Sequence, residues 1–247
     1  NPLYTPREMR HQFIDSGAKA IVIADNFASN LQEILKDTQI NTIITTSIGE
    51  MLGLVKGYIV DFVVKNIKRM VPAYDLPNKV SFKYALKEGG RFTIKKFTGQ
   101  PDDVIMLQYT GGTTGVAKGA MLTNRNLVAN MLQIRSIMMP FLKEGEETVL
   151  SPLPMYHIFA FSVNCLALLS IGCHTVLVTN ARDLPSVIRE FNKHKISLVT
   201  GVNTLYNALM NHPGFDSCDF STLKISVGGG MAVQKSVAER WRKITGC

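Results

Sequence analysis

One stretch of the sequence concentrates residue types that bind anions. Residues 109–120 read YTGGTTGVAKGA, with four glycines, three threonines and one lysine, and they follow the apolar segment 104–107. Glycine lets a backbone approach a ligand closely, so that successive N–H groups converge on an anion, and hydroxyls and an ammonium group add donors. Charge-assisted hydrogen bonds contribute roughly 1.5–3 kcal/mol each, so a few would hold the phosphates of a nucleotide. The stretch predicts a polyphosphate site, with a plain glycine-rich turn as the alternative.

The spacing in this stretch differs from the Walker A motif. That motif places a glycine directly before its lysine and Ser or Thr directly after it, whereas Lys118 follows Ala117 and precedes Gly119. The candidate phosphate-binding residues are Tyr109, Thr110, Gly111, Gly112, Thr113, Thr114, Gly115, Val116, Ala117, Lys118, Gly119 and Ala120.

Three shorter motifs carry other candidates. His157 lies in YHIFAF (156–161) beside an apolar run, where a lone histidine is more often a satisfied core residue than a ligand. TGVNT (200–204) and VGGGM (227–231) each lie between a strand-like and a helix-like segment, as strand-to-helix turns do. A Rossmann fingerprint would need Gly or Ala at position 233, which is Val. The sequence also lacks the Gly-x-Ser-x-Gly motif of serine hydrolases.

Composition bounds the class of protein. The 247 residues are 46% apolar and carry a formal charge of +8, which excludes intrinsic disorder as the main state. Four scattered cysteines without a Cys-x-x-Cys pair predict neither a disulfide framework nor structural zinc, and suggest a reducing compartment. Residues 148–181 lack charged side chains, but prolines, histidines and polar residues interrupt them. We therefore expect buried core there and no membrane span.

Short apolar runs alternate with helix-like segments. Thr5-Pro6-Arg7-Glu8 is typical of a helix start and Gly17 of a helix end. The alternation predicts an α/β fold in which helices cover layered parallel or mixed sheets. The predicted strands are 20–24, 41–46, 104–109, 148–153, 175–179, 197–200 and 224–227, and further predicted helices are 30–37, 124–139 and 184–194.

Two segments stand apart from this alternation. Residues 74–100 are richer in Lys, Gly and Pro, which predicts an irregular excursion with a hairpin. Residues 51–71 have the apolar spacing of an amphipathic helix with a basic flank of Lys56, Lys65, Lys68 and Arg69. The favoured interpretation is a helix whose apolar face packs on the domain, and the second is an interfacial helix attracted to anionic lipid. No nucleic-acid-binding motif is present, and no nucleic-acid partner is expected.

Taken together, the motifs resemble the adenylate-forming superfamily, which comprises acyl-CoA synthetases, luciferases and peptide-synthetase adenylation domains. YTGGTTGVAKGAMLTNRNL, SPLPMYHIFAFSVNC, TGVNTLYNAL and SVGGGMAVQKSVAERW are similar to segments of bacterial long-chain fatty acyl-CoA synthetases in content and order. The resemblance covers essentially the whole chain and implies two half-reactions. A fatty acid carboxylate attacks the α-phosphate of Mg-ATP and pyrophosphate leaves, and the thiolate of coenzyme A then displaces AMP.

The resemblance also implies residue roles. Residues 110–114 and Lys118 would clasp the β- and γ-phosphates, and Thr113 would lie at the Mg²⁺ ion. Lys118, Thr113 and His157 are the expected catalytic residues, because they would stabilise the departing pyrophosphate or border the reacting acyl carboxylate.

The remaining implied roles concern the acyl chain and the adenine. Phe161 falls where some long-chain members place an aromatic gate. Gly201 and Val202 would lie along the acyl tunnel, where the lack of a side chain on glycine leaves room for a long alkyl chain. Amino-acid-activating relatives carry an Asp at the position of Ile158, so an amino-acid substrate is not expected. The residues expected to flank the adenine and the acyl-adenylate are Gly228, Gly229 and Gly230.

The resemblance implies that residues 1–247 are part of a large N-terminal AMP-binding domain, without the C-terminal catalytic domain. We expect such a piece to bind ligands without turnover. A non-catalytic nucleotide or acyl-lipid binding module and a synthetase for shorter or aromatic carboxylic acids stay open as alternatives. The expected location is the cytoplasm, with peripheral contact at the inner face of the cytoplasmic membrane and a homodimer of the full-length protein as further options.

Overall fold

Two units, each with its own buried core, make up the chain. The computed structural model describes residues 2–110 and 116–247. The first unit consists of Asn1–Gln100 and Val104–Leu122, and the second of Pro101–Asp103 and Thr123–Cys247.

The first unit is built on a parallel three-stranded sheet. Its order is β1-β2-β3, formed by β1 (Ala20–Ala24), β2 (Thr42–Thr46) and β3 (Val80–Ser81). A separate two-stranded sheet pairs β4 (Val104–Thr110) with β5 (Lys118–Thr123). The helices are α1 (Pro6–Ser16), α2 (Ala28–Ile34), α3 (Leu54–Phe62), which continues as the π-helical segment Val63–Ile67, and α4 (Phe82–Gly89).

Helix α1 begins and ends where its local sequence predicts. The Glu8 carboxylate accepts a hydrogen bond from the Thr5 backbone N–H at 2.8 Å, while the Thr5 hydroxyl accepts one from the Glu8 N–H. Gly17 follows the last turn with a φ of 62°, in the left-handed region that glycine tolerates best. Met9 on the inner face packs with α2 residues in the core of this unit.

The second unit contains a four-stranded parallel sheet in the order β7-β6-β8-β9. Its strands are β6 (Thr148–Ser151), β7 (His174–Leu177), β8 (Leu198–Gly201) and β9 (Ile225–Gly228). Its helices are α5 (Asn124–Met138), α6 (Ile158–Ala160), which continues as the π-helical segment Phe161–Leu168, α7 (Leu184–Lys193), α8 (Asn203–Met210) and α9 (Lys235–Thr245).

This sheet is covered on both faces. Leu150 and Val199 pack into a cluster that includes residues of α7, α8 and α9, whereas their chain neighbours Val149 and Leu198 pack into a different cluster with Met138 of α5 and residues of the π-helical segment. Successive side chains on a strand point to opposite faces, so the two clusters lie on opposite sides of the sheet. The predicted α/β fold of covered parallel sheets is confirmed.

The structure corrects the prediction for residues 74–100 and supports the one for residues 148–181. The hairpin expected in 74–100 is wrong: β3 there pairs in parallel with β2, and α4 follows it directly because the Ser81 hydroxyl accepts a hydrogen bond from the Tyr84 N–H and caps the helix. Residues 148–181 form β6, α6 and β7, with many buried side chains. Within the described residues, no helix has both the length and the apolarity needed to cross a membrane.

Residues 54–67 of the amphipathic segment 51–71 are helical, but they bury the opposite face from the one we favoured. The inward side is small and polar: Gly57 packs against the backbone of Gly49, and the Asp61 carboxylate accepts hydrogen bonds from the Ser47 hydroxyl at 2.6 Å and the Gly49 N–H at 2.7 Å. The apolar side chains point outward, with Leu54 86% and Tyr58 74% exposed. The interpretation of a core-packed apolar face is therefore wrong.

Candidate functional site

The predicted phosphate-binding stretch runs in sequence from the end of β4 to the start of β5. β4 ends at Thr110 and β5 begins at Lys118, whose side chain is exposed. The predictions for Gly111, Gly112, Thr113, Thr114 and Gly115, including the proposed metal contact of Thr113, fall outside the described residues.

Tyr109 and Gly119 face each other across β4 and β5. A Cβ atom at Gly119 would lie 3.0 Å from the Tyr109 ring, so glycine allows the ring to lie flat against the neighbouring strand. The Tyr109 hydroxyl donates a hydrogen bond to Asp15 Oδ2 at 2.5 Å. Partial burial and the Asp15 carboxylate raise the pKa of Tyr109 to about 12, so the phenol stays protonated at neutral pH and keeps donating to Asp15.

The other three predicted motifs belong to the second unit, where they meet at one edge of its sheet. β8 and β9 end at Gly201 and Gly228, and because the strands are parallel their carboxyl ends share this edge. The Gly229 N–H donates to the Gly201 carbonyl at 3.2 Å. A Cβ atom at Gly229 would lie 2.6 Å from the Phe159 ring, and one at Gly230 would lie 3.8 Å from Val202. Close approach of these backbones brings the motifs together, at the edge where ligands of open α/β sheets usually bind.

His157 is exposed rather than a buried structural residue. It is the N-cap of α6, where its Nδ1 accepts a hydrogen bond of 3.4 Å from the Phe159 N–H. Its imidazole is therefore accessible to a ligand at this edge of the sheet. Phe161 begins the π-helical segment and is half-buried.

The space beside Gly201 is already filled. A Cβ atom at Gly201 would lie 2.8 Å from the Tyr206 ring, which is 3% exposed. The Tyr206 hydroxyl donates to the Val227 carbonyl at 2.8 Å and fixes the ring. In this structure the missing side chain makes room for Tyr206, and the expected room for an alkyl chain is not found at that point. Lining of an acyl tunnel by Gly201 and Val202 stays a prediction.

A buried polar cluster supports this edge, and sequence reasoning missed it. The Asn164 side chain, in the π-helical segment, is 0% exposed; its Nδ2 donates to Ser151 Oγ at 2.5 Å and to Thr200 Oγ1 at 3.0 Å. Its Oδ1 has no hydrogen-bond partner among the described residues. The cluster ties the ends of β6 and β8 to the helical segment that follows His157. In the sequence, Asn164 is recognisable only as a polar residue in the uncharged, mostly apolar run 161–168.

An apolar cavity lies next to the YHIFAF motif within the second unit. Its volume is about 420 Å³, which is in the range of small-molecule sites. Its lining comes from α5, α6, the start of the π-helical segment and β9, and includes Ile134, Ile137, Met138, Ile158, Phe159, Val163 and Val227.

The fold and these motifs are of the adenylate-forming type, and comparison with known proteins agrees. The chain belongs to the AMP-binding enzyme family, which matches residues 1–247. The resemblance inferred from the motifs is confirmed.

Proteins named long-chain-fatty-acid–CoA ligase are similar in sequence to this chain over its whole length. The long-chain-fatty-acid–CoA ligase of Escherichia coli O6:H1 (strain CFT073) is 52% identical over 246 residues, and that of Haemophilus influenzae is 47% identical over 249 residues. Each match covers 100% of this chain and 44% of the relative, so the chain spans less than half the length of these relatives.

Solved structures share the fold. An anthranilate CoA ligase in complex with anthranoyl-AMP gives a TM-score of 0.78 at 17% identity, covering 100% of this chain and 42% of that chain. A long-chain-fatty-acid-CoA ligase from Archaeoglobus fulgidus gives 0.72 at 22% identity with the same coverage. At these identities the likeness extends to the fold alone.

Proposed function

We propose that the full-length protein activates long-chain fatty acids to acyl-CoA through an acyl-adenylate. The observation that carries this proposal is the identity of 47–52% over the whole chain to ligases of that name. In the proposed reaction a fatty acid carboxylate oxygen bonds to the α-phosphorus of ATP and pyrophosphate leaves. The thiolate of coenzyme A then bonds to the acyl carbon, and AMP leaves. Residues 1–247 would be part of the large N-terminal domain of that enzyme.

The residue roles in this proposal follow the motifs. The phosphate-binding stretch, with Lys118 as its cation, would hold the β- and γ-phosphates and stabilise the departing pyrophosphate. Mg²⁺ prefers oxygen ligands and commonly binds through one or two carboxylates together with substrate phosphates, and in P-loop proteins a Ser or Thr hydroxyl also binds it. The Thr113 hydroxyl is a donor of that kind, so MgATP is the proposed form of the nucleotide.

The second unit would supply the acyl and adenine contacts. His157 would border the carboxylate, Phe161 would gate the acyl site, and residues 228–230 would flank the adenine. Support comes from the meeting of these motifs at one sheet edge and from the apolar cavity beside them. Each buried methylene contributes about 0.8 kcal/mol, so an apolar site favours long chains.

A series of acyl lengths tests the substrate class. We expect acid-dependent pyrophosphate exchange by the full-length enzyme to show a kcat/KM that rises with acyl length into the long-chain range. A maximum with short or aromatic acids would contradict the long-chain assignment and support the alternative synthetase. If none of the tested acids supports pyrophosphate exchange, the result would support a non-catalytic nucleotide or acyl-lipid binding module.

The 247-residue chain by itself gives a second test. We expect it to form no acyl-CoA, because the proposed second half-reaction uses a C-terminal domain, although it retains the ATP-contacting stretch. Isothermal titration with ATP and a thioester assay would be run on the same purified sample. Thioester formation by this chain would overturn the proposed domain requirement.

We also propose that α3 and the π-helical segment after it contact the surface of an anionic membrane. The outward face carries exposed apolar side chains, Leu54, Val55, Tyr58, Ile59 and Ile67 among them. Exposed cations lie on this segment at Lys56 and Lys65 and directly after it at Lys68 and Arg69. Insertion of apolar side chains and attraction of cations to anionic headgroups are the two contributions that interfacial helices combine.

Charge reversal tests this membrane contact. The triple change Lys65→Glu, Lys68→Glu and Arg69→Glu should lower partitioning of the full-length protein onto phosphatidylcholine–phosphatidylglycerol vesicles by about a hundredfold, since each cation contributes about 1 kcal/mol near such a surface. The matched control reverses the exposed Lys87, Lys95 and Lys96, which gives the same net charge. Equal loss in both variants would indicate nonspecific attraction. If neither changes partitioning but the protein sediments as a dimer, the apolar face pairs two copies instead.

A further inference from the structure

Helix α1 contacts two residues of the phosphate-binding stretch, one on β4 and one directly before β5. His11 Nε2 lies 2.8 Å from the Ala117 carbonyl oxygen, just before β5, and Asp15 Oδ2 accepts the hydrogen bond from the Tyr109 hydroxyl on β4. A carbonyl oxygen only accepts, so the His11 Nε2 is the donor. His11 and Asp15 are four residues apart and therefore lie on one face of the helix.

The helix can hold these strands because it is itself fixed. Its capping box and the Gly17 end define both termini, and Met9 and Phe13 anchor it in the core of the first unit. The β4–β5 pair forms its own two-stranded sheet, and such pairs are only marginally stable without outside contacts. The α1 contacts provide outside support to β4 at Tyr109 and to Ala117, the residue that leads into β5.

We propose that His11 and Asp15 are positioning residues for the phosphate-binding stretch. His11 fixes the peptide group that leads from Ala117 into Lys118, and so sets where the ammonium group can reach. Asp15 fixes Tyr109, whose ring in turn lies against Gly119. This inference rests on the proposed ATP-binding function of the stretch. It adds two residues of α1, a helix that lies outside all four sequence motifs.

The test measures KM for ATP and KM for fatty acid separately, by pyrophosphate exchange with the full-length enzyme. His11→Leu and Asp15→Ala should each raise KM for ATP about three- to tenfold, the range expected for one lost hydrogen bond. KM for the fatty acid should stay unchanged, and a general structural role would not produce this split. His11→Gln, whose amide can donate to the same carbonyl, should recover most of the loss.

A double-mutant cycle tests the Asp15–Tyr109 contact. Tyr109→Phe removes only the hydroxyl, so it should raise KM for ATP as Asp15→Ala does, and the double variant should be no worse than either single variant. The matched control is His212→Leu, because His212 also contacts a backbone carbonyl, that of Pro213, in the turn after α8. It should leave both KM values unchanged.

Three results would overturn the inference. Unchanged KM for ATP in His11→Leu, Asp15→Ala and Tyr109→Phe, while Lys118→Ala is impaired, would reject the role of α1 and leave the proposed function standing. Unchanged exchange in Lys118→Ala would reject the proposed function of the stretch and this inference with it. A parallel rise in both KM values, with a lowered unfolding midpoint, would assign His11 and Asp15 to folding alone.

Discussion

Replacing Lys118 by alanine in the full-length enzyme is expected to lower acid-dependent pyrophosphate exchange by about 10²–10³-fold, the loss seen when one preorganised charge-stabilising donor is removed. The lysine would neutralise charge that develops on pyrophosphate as it leaves, so the loss should fall mainly on kcat. Thr113→Ala should also lower pyrophosphate exchange, because it removes a hydroxyl from the same stretch.

The fold should survive the Lys118 change. Its side chain is exposed at the start of β5, and it makes no ion pair with any residue of 2–110 or 116–247. The unfolding midpoint should therefore match that of the unmodified enzyme. Lys96→Ala, at another exposed lysine of the first unit, is the control and should leave exchange intact. Normal exchange in Lys118→Ala would remove this stretch from the mechanism.

Gly201→Ala is expected to destabilise the protein by about 1–3 kcal/mol, the usual cost of overpacking a filled core. The new Cβ atom would lie 2.8 Å from the Tyr206 ring. That ring is restrained by the hydrogen bond from its hydroxyl to the Val227 carbonyl and by its T-shaped contact with Trp241, whose ring centroid is 4.5 Å away. Thermal unfolding of the full-length enzyme would measure the loss as a lowered midpoint.

Two companion variants sharpen this result. Gly201→Ala should cost less stability in a Tyr206→Leu background than in the unmodified protein, because the ring that clashes is then absent. Gly89→Ala, at a helix position with nothing within 4 Å of the new Cβ atom, should be neutral or stabilising. An unchanged midpoint for Gly201→Ala together with a preference for shorter acids would show instead that Gly201 lines the acyl path.

Several features of the fold could be predicted from local sequence. The start and end of α1 follow from Thr5, Glu8 and Gly17, and the apolar runs mark most strands to within a few residues. These signals are local, because a cap is satisfied by residues three positions away and a strand is marked by its own side chains. The hairpin prediction in 74–100 failed because β3 pairs with residues far away in the chain, Val80 with Ile44, and Lys, Gly and Pro content does not indicate such a partner.

The candidate site was predictable in part. The motifs identified the turns after β8 and β9, and parallel pairing alone requires that these turns share an edge. The Asn164 cluster and the contacts of His11 and Asp15 were not predictable, because their partners lie between 13 and 106 residues away in the chain.

The sequence by itself determined the alternating α/β architecture, the two ends of α1 and the family to which the chain belongs, because each depends on short patterns. The tertiary structure decided which face of α3 is buried, what fills the space beside Gly201, and that α1 holds the strands of the phosphate-binding stretch. Apolar periodicity identifies a helix face but does not say what packs on it. The small and polar contacts of Gly57 and Asp61 turned that face outward, and only assembled neighbours could show this.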